Sequence, residues 1–369
     1  MPPARIHEAI AKEINKNKNY DELLLRIGTV APDSWRNVET GIKDKYTTHF
    51  WNFKIKEGQA NDYQEFYLKY YNDLSNPFYF GYLIHLIVDQ YWKTNIDPLY
   101  ITEQNGIKGF KLKDGTFKED KDNWSYYDSL KMQRQIAKIY NLDKFPIEKI
   151  NLKCNIDEIN QEGIFGKTGT LNYINENCLP NGNDEEPEIS DINVIIKQIK
   201  ETAHFVQKEL EKLEKIKKQN DKKIKIIVDI ENTILYTSTY REKIAIKPGI
   251  QQAFNTLLKN DCKIDLISTI PLEEYTSLKK KLVQYFEEND INYDYLNLIF
   301  YSKQKFLQEH NYDILIDNDI RQILEAEKIG ITPILYGTYN EEYKGYQTNN
   351  WEEIPKIIEK LQKKVKKWN

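Results

Sequence analysis

Cysteine is scarce in this chain: the three present, Cys154, Cys178 and Cys262, are odd in number and scattered. Such a set excludes a disulfide framework and a cysteine-built metal site, and it predicts reduced thiols. Long apolar runs are missing too. The opening segment "MPPARIHEAIAKEI" has no basic stretch followed by an apolar one, so no secretory signal is expected. No segment reaches the length of an uninterrupted membrane span. Together these absences predict a cytoplasmic protein without a membrane span. An excess of one charge is also lacking, with 53 Lys and Arg against 57 Asp and Glu for a net charge of -4. That leaves no strong nucleic-acid surface of the basic kind. What the chain does have is aromatic content, 12% with 26 Tyr, which rules out a disordered composition. At 369 residues it can hold two domains of ordinary size.

Two textures divide the sequence. Up to about residue 215, segments such as "RIHEAIAKEI", "DYQEFYLKYYNDL", "YYDSLKMQRQIAKIY" and "ISDINVIIKQIKETAHFVQKELEKLEKIKKQ" carry apolar residues at three- and four-residue spacing. This predicts an all-α domain over residues 1–215. Within it, "GIFGKTGTLNYINENCLPNGNDEEPE" is rich in Gly, Asn and Pro and is expected to be an irregular loop. The charged residues 216–223 are the candidate linker. From 224 to 369, short β-branched runs ("IKIIVDI", "KIDLIST", "LNLIFYS", "YDILIDND", "TPILYGT") alternate with helical segments. The alternation predicts an α/β Rossmann-like domain with a parallel sheet.

In "GYLIHLIVDQYW" an otherwise apolar helix carries His85 and Asp89 one turn apart, on the same face and within reach of one ion. A lone histidine in such a helix is more often a satisfied core residue. The chain has only five His, however, and His7 and His49 lie in related company, with Asp33 in "GTVAPD". Mixed His and Asp donors on a helical bundle suit zinc. A buried Asp beside a cation also avoids a desolvation cost of several kcal/mol.

"HEAIA", "GTVAPD", "THF" and "GYLIHLIVDQYW", in this order, resemble the zinc-dependent phospholipase C family, which shares its helical fold with the single-strand-type zinc nucleases. The resemblance implies a zinc site made by Asp33, His49, His85 and Asp89, with His7 at a neighbouring site that shares the helix Asp. Asn95 or Asp97 stands where the family has a further His, and His204 is followed by Lys208 rather than an acid one turn on. With an open position, the zinc would serve metal-assisted hydrolysis, with Asp33 orienting or deprotonating a water. With four protein ligands it would be structural.

In the second half, acids and hydroxyls fall at strand ends: Asp229 and Glu231 after "IIV", Ser268 in "DLIST", Asp317 in "ILIDND". Carboxyl ends of parallel strands are where ligands bind, and this set suits magnesium and phosphate. Residues 224–362 resemble the haloacid dehalogenase superfamily of phosphatases, in its 5'(3')-deoxyribonucleotidase-like branch. The resemblance implies Asp229 as nucleophile, Glu231 as general acid/base where the family has Asp, and Ser268 and Lys305 on the phosphoryl group. Lys303 is the alternative to Lys305, and Asp229 and Asp317 would hold magnesium. Ile270 and Asn318 depart from the branch's pattern, and "LYTSTYREKIAIKPG" has room only for a small flap.

The expected function is an intracellular hydrolase of phosphoric esters, a zinc phosphodiesterase-like domain fused to a magnesium-dependent nucleotidase-like phosphatase. Its partner would be a small phosphorylated substrate, with nucleotides among the candidates. The alternative is a binding or regulatory protein built from two weakened hydrolase folds with a structural zinc.

Overall fold

Helical periodicity in the first half becomes helix in the computed structural model, which describes residues 2–37, 45–51, 61–150, 152, 156, 158–159, 161–180, 185–236, 244–271, 274–337 and 339–365. The chain divides into two units, Met1–Lys215 and Ile216–Asn369.

In the first unit the helices that matter for the candidate site are α1 (Ala4–Asn15), α2 (Glu22–Val30) and α3 (Pro77–Tyr91). Asp21 caps α2 by accepting from Leu24 N at 2.8 Å. Asn76 caps α3 with Pro77 in its first turn, where a missing N–H costs nothing. Every residue of α3 from Phe78 to Asp89 is buried, as its apolar circumference requires. Two glycines let α2 and α3 meet backbone to backbone. A Cβ at Gly81 would lie 2.3 Å from the Leu25 carbonyl oxygen, and one at Gly28 only 2.1 Å from that of Phe78.

Three expectations differ from the structure here. The unit is not all-α: an antiparallel meander of β1 (Ile101–Gln104), β2 (Ile107–Lys111) and β3 (Phe117–Glu119) follows α3. These strands are short and mostly exposed, so no apolar alternation marked them in the sequence. The Gly/Asn-rich segment also holds two short helices, Gln161–Phe165 and Thr170–Asn177, anchored by buried Ile164, Leu171 and Ile174. Two further helices are α4 (Trp124–Ile139) and α5 (Ile192–Asn220). The charged segment 216–223, read from composition as a linker, is helical as far as Asn220.

The second unit is an α/β layer structure. Its strands are β4 (Ile224–Asp229), β5 (Cys262–Thr269), β6 (Tyr295–Ile299), β7 (Ile314–Asp317), β8 (Thr332–Tyr336) and β9 (Tyr346–Thr348). They form one parallel sheet in the order β6-β5-β4-β7-β8-β9. The chain builds outward from β4 on one side and then returns to β7 on the other, so the switch point lies between β4 and β7. Consecutive residues Ile226 and Ile227 are both fully buried, which means that both faces of the sheet are covered. The strands are connected through α6 (Ile250–Lys259), α7 (Tyr275–Glu288), α8 (Lys303–Glu309) and α9 (Ile320–Lys328), and α10 (Ile354–Val365) closes the unit. Residues 237–243, inside the expected flap, lie outside the described residues.

Candidate functional site

In the first unit, the five expected ligands come from four segments and converge. His7 comes from α1, Asp33 from the 3-10 turn Ala31–Asn37 after α2, His49 from the end of the short helix Lys45–Thr48, and His85 and Asp89 from α3. Their donor atoms form two groups that share His85: His7, His85 and Asp89, and Asp33, His49 and His85. His49 Nε2 and His85 Nε2 are 3.3 Å apart, and Asp89 Oδ2 lies 3.4 Å from the first and 3.6 Å from the second. His49 Nε2 is 3.7 Å from Asp33 Oδ1, and His7 Nε2 is 3.3 Å from Asp89 Oδ1. The His7 and His85 rings stack at 4.0 Å.

Three contacts fix which nitrogen faces the cluster. His85 Nδ1–H donates to the Thr29 carbonyl at 2.7 Å, which leaves the Nε2 lone pair inward. His49 Nδ1 meets Thr48 Oγ1 at 2.9 Å, and that hydroxyl itself donates to the Lys45 carbonyl, so the imidazole supplies the proton and its Nε2 is likewise free. The Tyr82 hydroxyl on α3 donates to the Thr48 carbonyl and ties the His49 segment to the helix.

The chemistry of this donor set fits zinc. A tetrahedral ion held at roughly 2.0–2.1 Å requires donor–donor edges of about 3.4 Å, which matches the separations above and is too long for good hydrogen bonds. Neither nitrogen of His7 and neither oxygen of Asp89 has a hydrogen bond of normal geometry, an expensive condition for atoms this deeply buried. Burial, reinforced by the charge of His85, pushes His7 down to about 4, and burial also lowers His49. For His85, burial works downward, but Asp89, Asp33 and the Thr29 carbonyl outweigh it and the pKa rises. Asp89 is held well below the usual carboxylate range: burial opposes this, and the three histidines prevail. Of the five expected ligands Asp33 alone has a side chain partly open, at 13%, and it lines a cavity of about 340 Å³ with Tyr126, Gln133, Thr170 and Tyr173. His204 is exposed on α5, and His310 stacks on Phe306 in the other unit; neither joins the cluster.

In the second unit, Asp229 ends β4 and Asp317 ends the neighbouring β7, both buried. Lys303 Nζ bridges them, donating to Asp229 Oδ1 and, at 3.1 Å, to Asp317 Oδ2. Asp229 Oδ2 accepts from Thr233 Oγ1 at 3.0 Å. The Asn318 amide, turned so that its NH2 meets acceptors, donates to the Glu231 carbonyl at 2.9 Å and to Asp229 Oδ2 at 3.2 Å. Burial, then the charge of Asp317, raises the Asp229 pKa well above normal, and burial raises Asp317 despite Lys303. Lys303 itself is raised: burial acts downward, but the two carboxylates dominate. Two hard oxygen donors whose mutual repulsion a cation relieves fit magnesium.

Glu231 reaches across to Ser268, whose hydroxyl donates to Oε1 at 2.6 Å. Lys305, expected on the phosphoryl group, is instead largely exposed and lies 3.8 Å from Glu309 on its own helix. The reason is where the helix starts. Ser302 caps α8, so Lys303 is its first residue and faces the strand ends, while Lys305 is about 200° further round. Thr233 and Asn318, the latter met in the sequence only as a departure from the branch's pattern, also serve the second cluster, and Thr29 and Thr48, which were not anticipated, serve the first. Thr29 acts through its backbone, which no side-chain pattern reveals.

Parallel strands in this order, with acids at the carboxyl ends of its two central strands, define an α/β unit of Rossmann-like topology. No protein-family model and no curated protein matches the chain. Among solved structures it is similar to the D,D-heptose 1,7-bisphosphate phosphatase of B. bronchiseptica, complexed with magnesium and phosphate, at 12% identity and a TM-score of 0.30. That match covers 38% of this chain and 99% of the other. The corresponding enzyme from Burkholderia thailandensis matches at 13% and 0.31, over 37% and 98%. A HAD-superfamily hydrolase from Ehrlichia chaffeensis matches at 13% and 0.27, over 37% and 96%. Among the described residues no helix is long and apolar enough to cross a membrane.

Proposed function

We propose that the second unit is a magnesium-dependent phosphate monoesterase that uses Asp229 as nucleophile. The observation that carries this is the pair of buried carboxylates, Asp229 and Asp317, on adjacent strand ends with one lysine between them. Thr233 and Lys303 hold the Asp229 carboxylate in one orientation, so an oxygen can attack phosphorus in line. The Asp229–phosphorus linkage forms as the ester P–O bond breaks, and Glu231 in its acid form gives the leaving oxygen a proton. Glu231 then takes a proton from the water that attacks the aspartyl-phosphate, which frees Asp229 and releases phosphate. Ser268, now on Glu231, would turn to a phosphoryl oxygen, and Lys303 would offset its charge. Bound at Asp229 and Asp317, magnesium would neutralise charge on the transferring group. The test is hydrolysis of p-nitrophenyl phosphate by the full chain with magnesium. Turnover should vanish in Asp229→Asn, and turnover that survives this change would sink the assignment.

The five-residue cluster supports a second activity. We infer a zinc centre held by Asp33, His49, His85 and Asp89, with His7 beside it, that hydrolyses phosphodiesters. Asp33 opens on a cavity, which favours chemistry over a closed structural site, since a closed site has no ligand facing free space. Asp33 would hold the attacking water and accept its proton, while the buried histidines keep the remaining donors dry. Metal analysis should find zinc in the purified chain and not in His85→Ala. Hydrolysis of bis-p-nitrophenyl phosphate should be lost with it. Zinc without turnover of this diester would make the centre structural, and failure of both esters would leave the binding-protein reading in place.

A further inference from the structure

Lys247 belongs to neither cluster, yet it contacts the turn that follows Asp229 of the second. Its ammonium donates to the carbonyl of Asn232, in the turn that leads away from Asp229 and Glu231, where Asn232 takes the left-handed conformation with φ 57°. The amine also lies 5.5 Å from the centre of the Tyr236 ring and 4.7 Å from that of Tyr336, the residue that ends β8. Among the described residues no carboxylate is in ion-pair reach of it. Burial lowers its pKa, with the charge of Asp229 acting the other way. A half-buried lysine satisfied by one carbonyl and two aromatic faces is poorly compensated, and an incoming anion would complete its coordination. The space between Asp229 and Asp317 is already served by Lys303, and Lys247 touches neither carboxylate.

We propose that Lys247 binds a second anionic group on the substrate, so that the preferred substrates are phosphate monoesters with a further phosphate or carboxylate on a short linker. Tyr336, buried, and Tyr236, exposed, flank this subsite; neither carries a charge, so Lys247 supplies the positive charge that the anion meets. The proposal rests on the phosphatase reading above.

A matched pair of esters tests it on the full chain with magnesium: propyl phosphate and 1,3-propanediol bisphosphate, which differ by the second anion. The bisphosphate should show a KM about tenfold lower or more, beyond the twofold expected from its two equivalent ends. Lys247→Gln should bring the ratio of the two KM values toward that statistical limit, and Lys247→Arg should keep most of the preference. Equal KM values in the unaltered chain, or a ratio unchanged in Lys247→Gln, overturns the proposal. If neither ester is cleaved, the phosphatase reading has failed. Calorimetric titration of both esters into Asp229→Asn, with and without Lys247→Gln, then decides the lysine. Tighter binding of the bisphosphate that depends on Lys247 supports the subsite, and equal binding refutes it.

Discussion

Gly81→Ala is the sharpest perturbation of the link between helix packing and the His/Asp cluster proposed to hold zinc. Helix propensity alone predicts that alanine stabilises a helix interior by up to about 1 kcal/mol. The structure predicts the opposite sign. The new Cβ would sit 2.3 Å from the Leu25 carbonyl oxygen and 3.0 Å from Thr29 N, whereas non-bonded heavy atoms rest at about 3.5 Å. Helices α2 and α3 must therefore part by about 1 Å. Such overpacking costs about 1–3 kcal/mol, and for a unit of this size that lowers the melting transition by roughly 3–10 °C. The same displacement stretches the 2.7 Å contact between His85 Nδ1 and the Thr29 carbonyl beyond hydrogen-bond range. Losing an orienting partner of this kind lowers metal affinity by about 10- to 100-fold. Thermal unfolding by circular dichroism and a competitive zinc titration measure the two effects. A variant as stable as the parent, with unchanged zinc affinity, would show that the glycine contact neither limits packing nor positions His85.

Three other outcomes are expected. Lys303→Met leaves Asp229 and Asp317 buried together without a cation, so in EDTA stability should fall by about 3–5 kcal/mol, read by denaturant unfolding. Millimolar magnesium should restore part of the loss, and so should lowering the pH. A carboxyl whose folded pKa is raised, as that of Asp229 is, binds its proton more readily when folded, so it gains stability as pH falls. His7, pushed down to about 4 when folded, has the contrary slope in the metal-free chain: the unfolded state binds the proton, and stability drops between pH 7 and pH 5 by about 2 kcal/mol from this group. His7→Gln should flatten the measured dependence by that amount, and an unchanged slope would contradict the burial argument. Glu231→Asp shortens the carboxylate that now accepts from Ser268 and frees that hydroxyl for phosphate, so p-nitrophenyl phosphate turnover should rise by about tenfold. A fall would show that the longer side chain is the right one.

His85 and Asp89 were legible because helical spacing alone puts them on one face. Asp229 and Asp317 were legible because apolar β-branched runs locate strand ends. Lys303 was not, since the choice between it and Lys305 turns on one residue in the start of α8, set by the Ser302 cap. The meander at β1–β3 was hidden because its residues bury almost nothing, and hydrophobic patterning reports only burial. The Thr29 carbonyl could not be read at all: its place depends on two glycines, Gly28 and Gly81, that are far apart in sequence and matter only once the helices touch.

The central place of β4 in the sheet also bears on how the chain is made. It is the first strand of its unit to leave the ribosome, and it is among the most apolar, with Ile226, Ile227 and Val228 fully buried in the finished fold. One of its edges finds β5 early, but the other must wait until β7 has been synthesised, past Ile314. Throughout that interval a greasy strand carries an unpaired backbone edge, the arrangement most prone to sticking to other chains. The carboxylate pair at Asp229 and Asp317 is assembled by the same late event, so a truncated or stalled chain would lack the site and expose the edge at once.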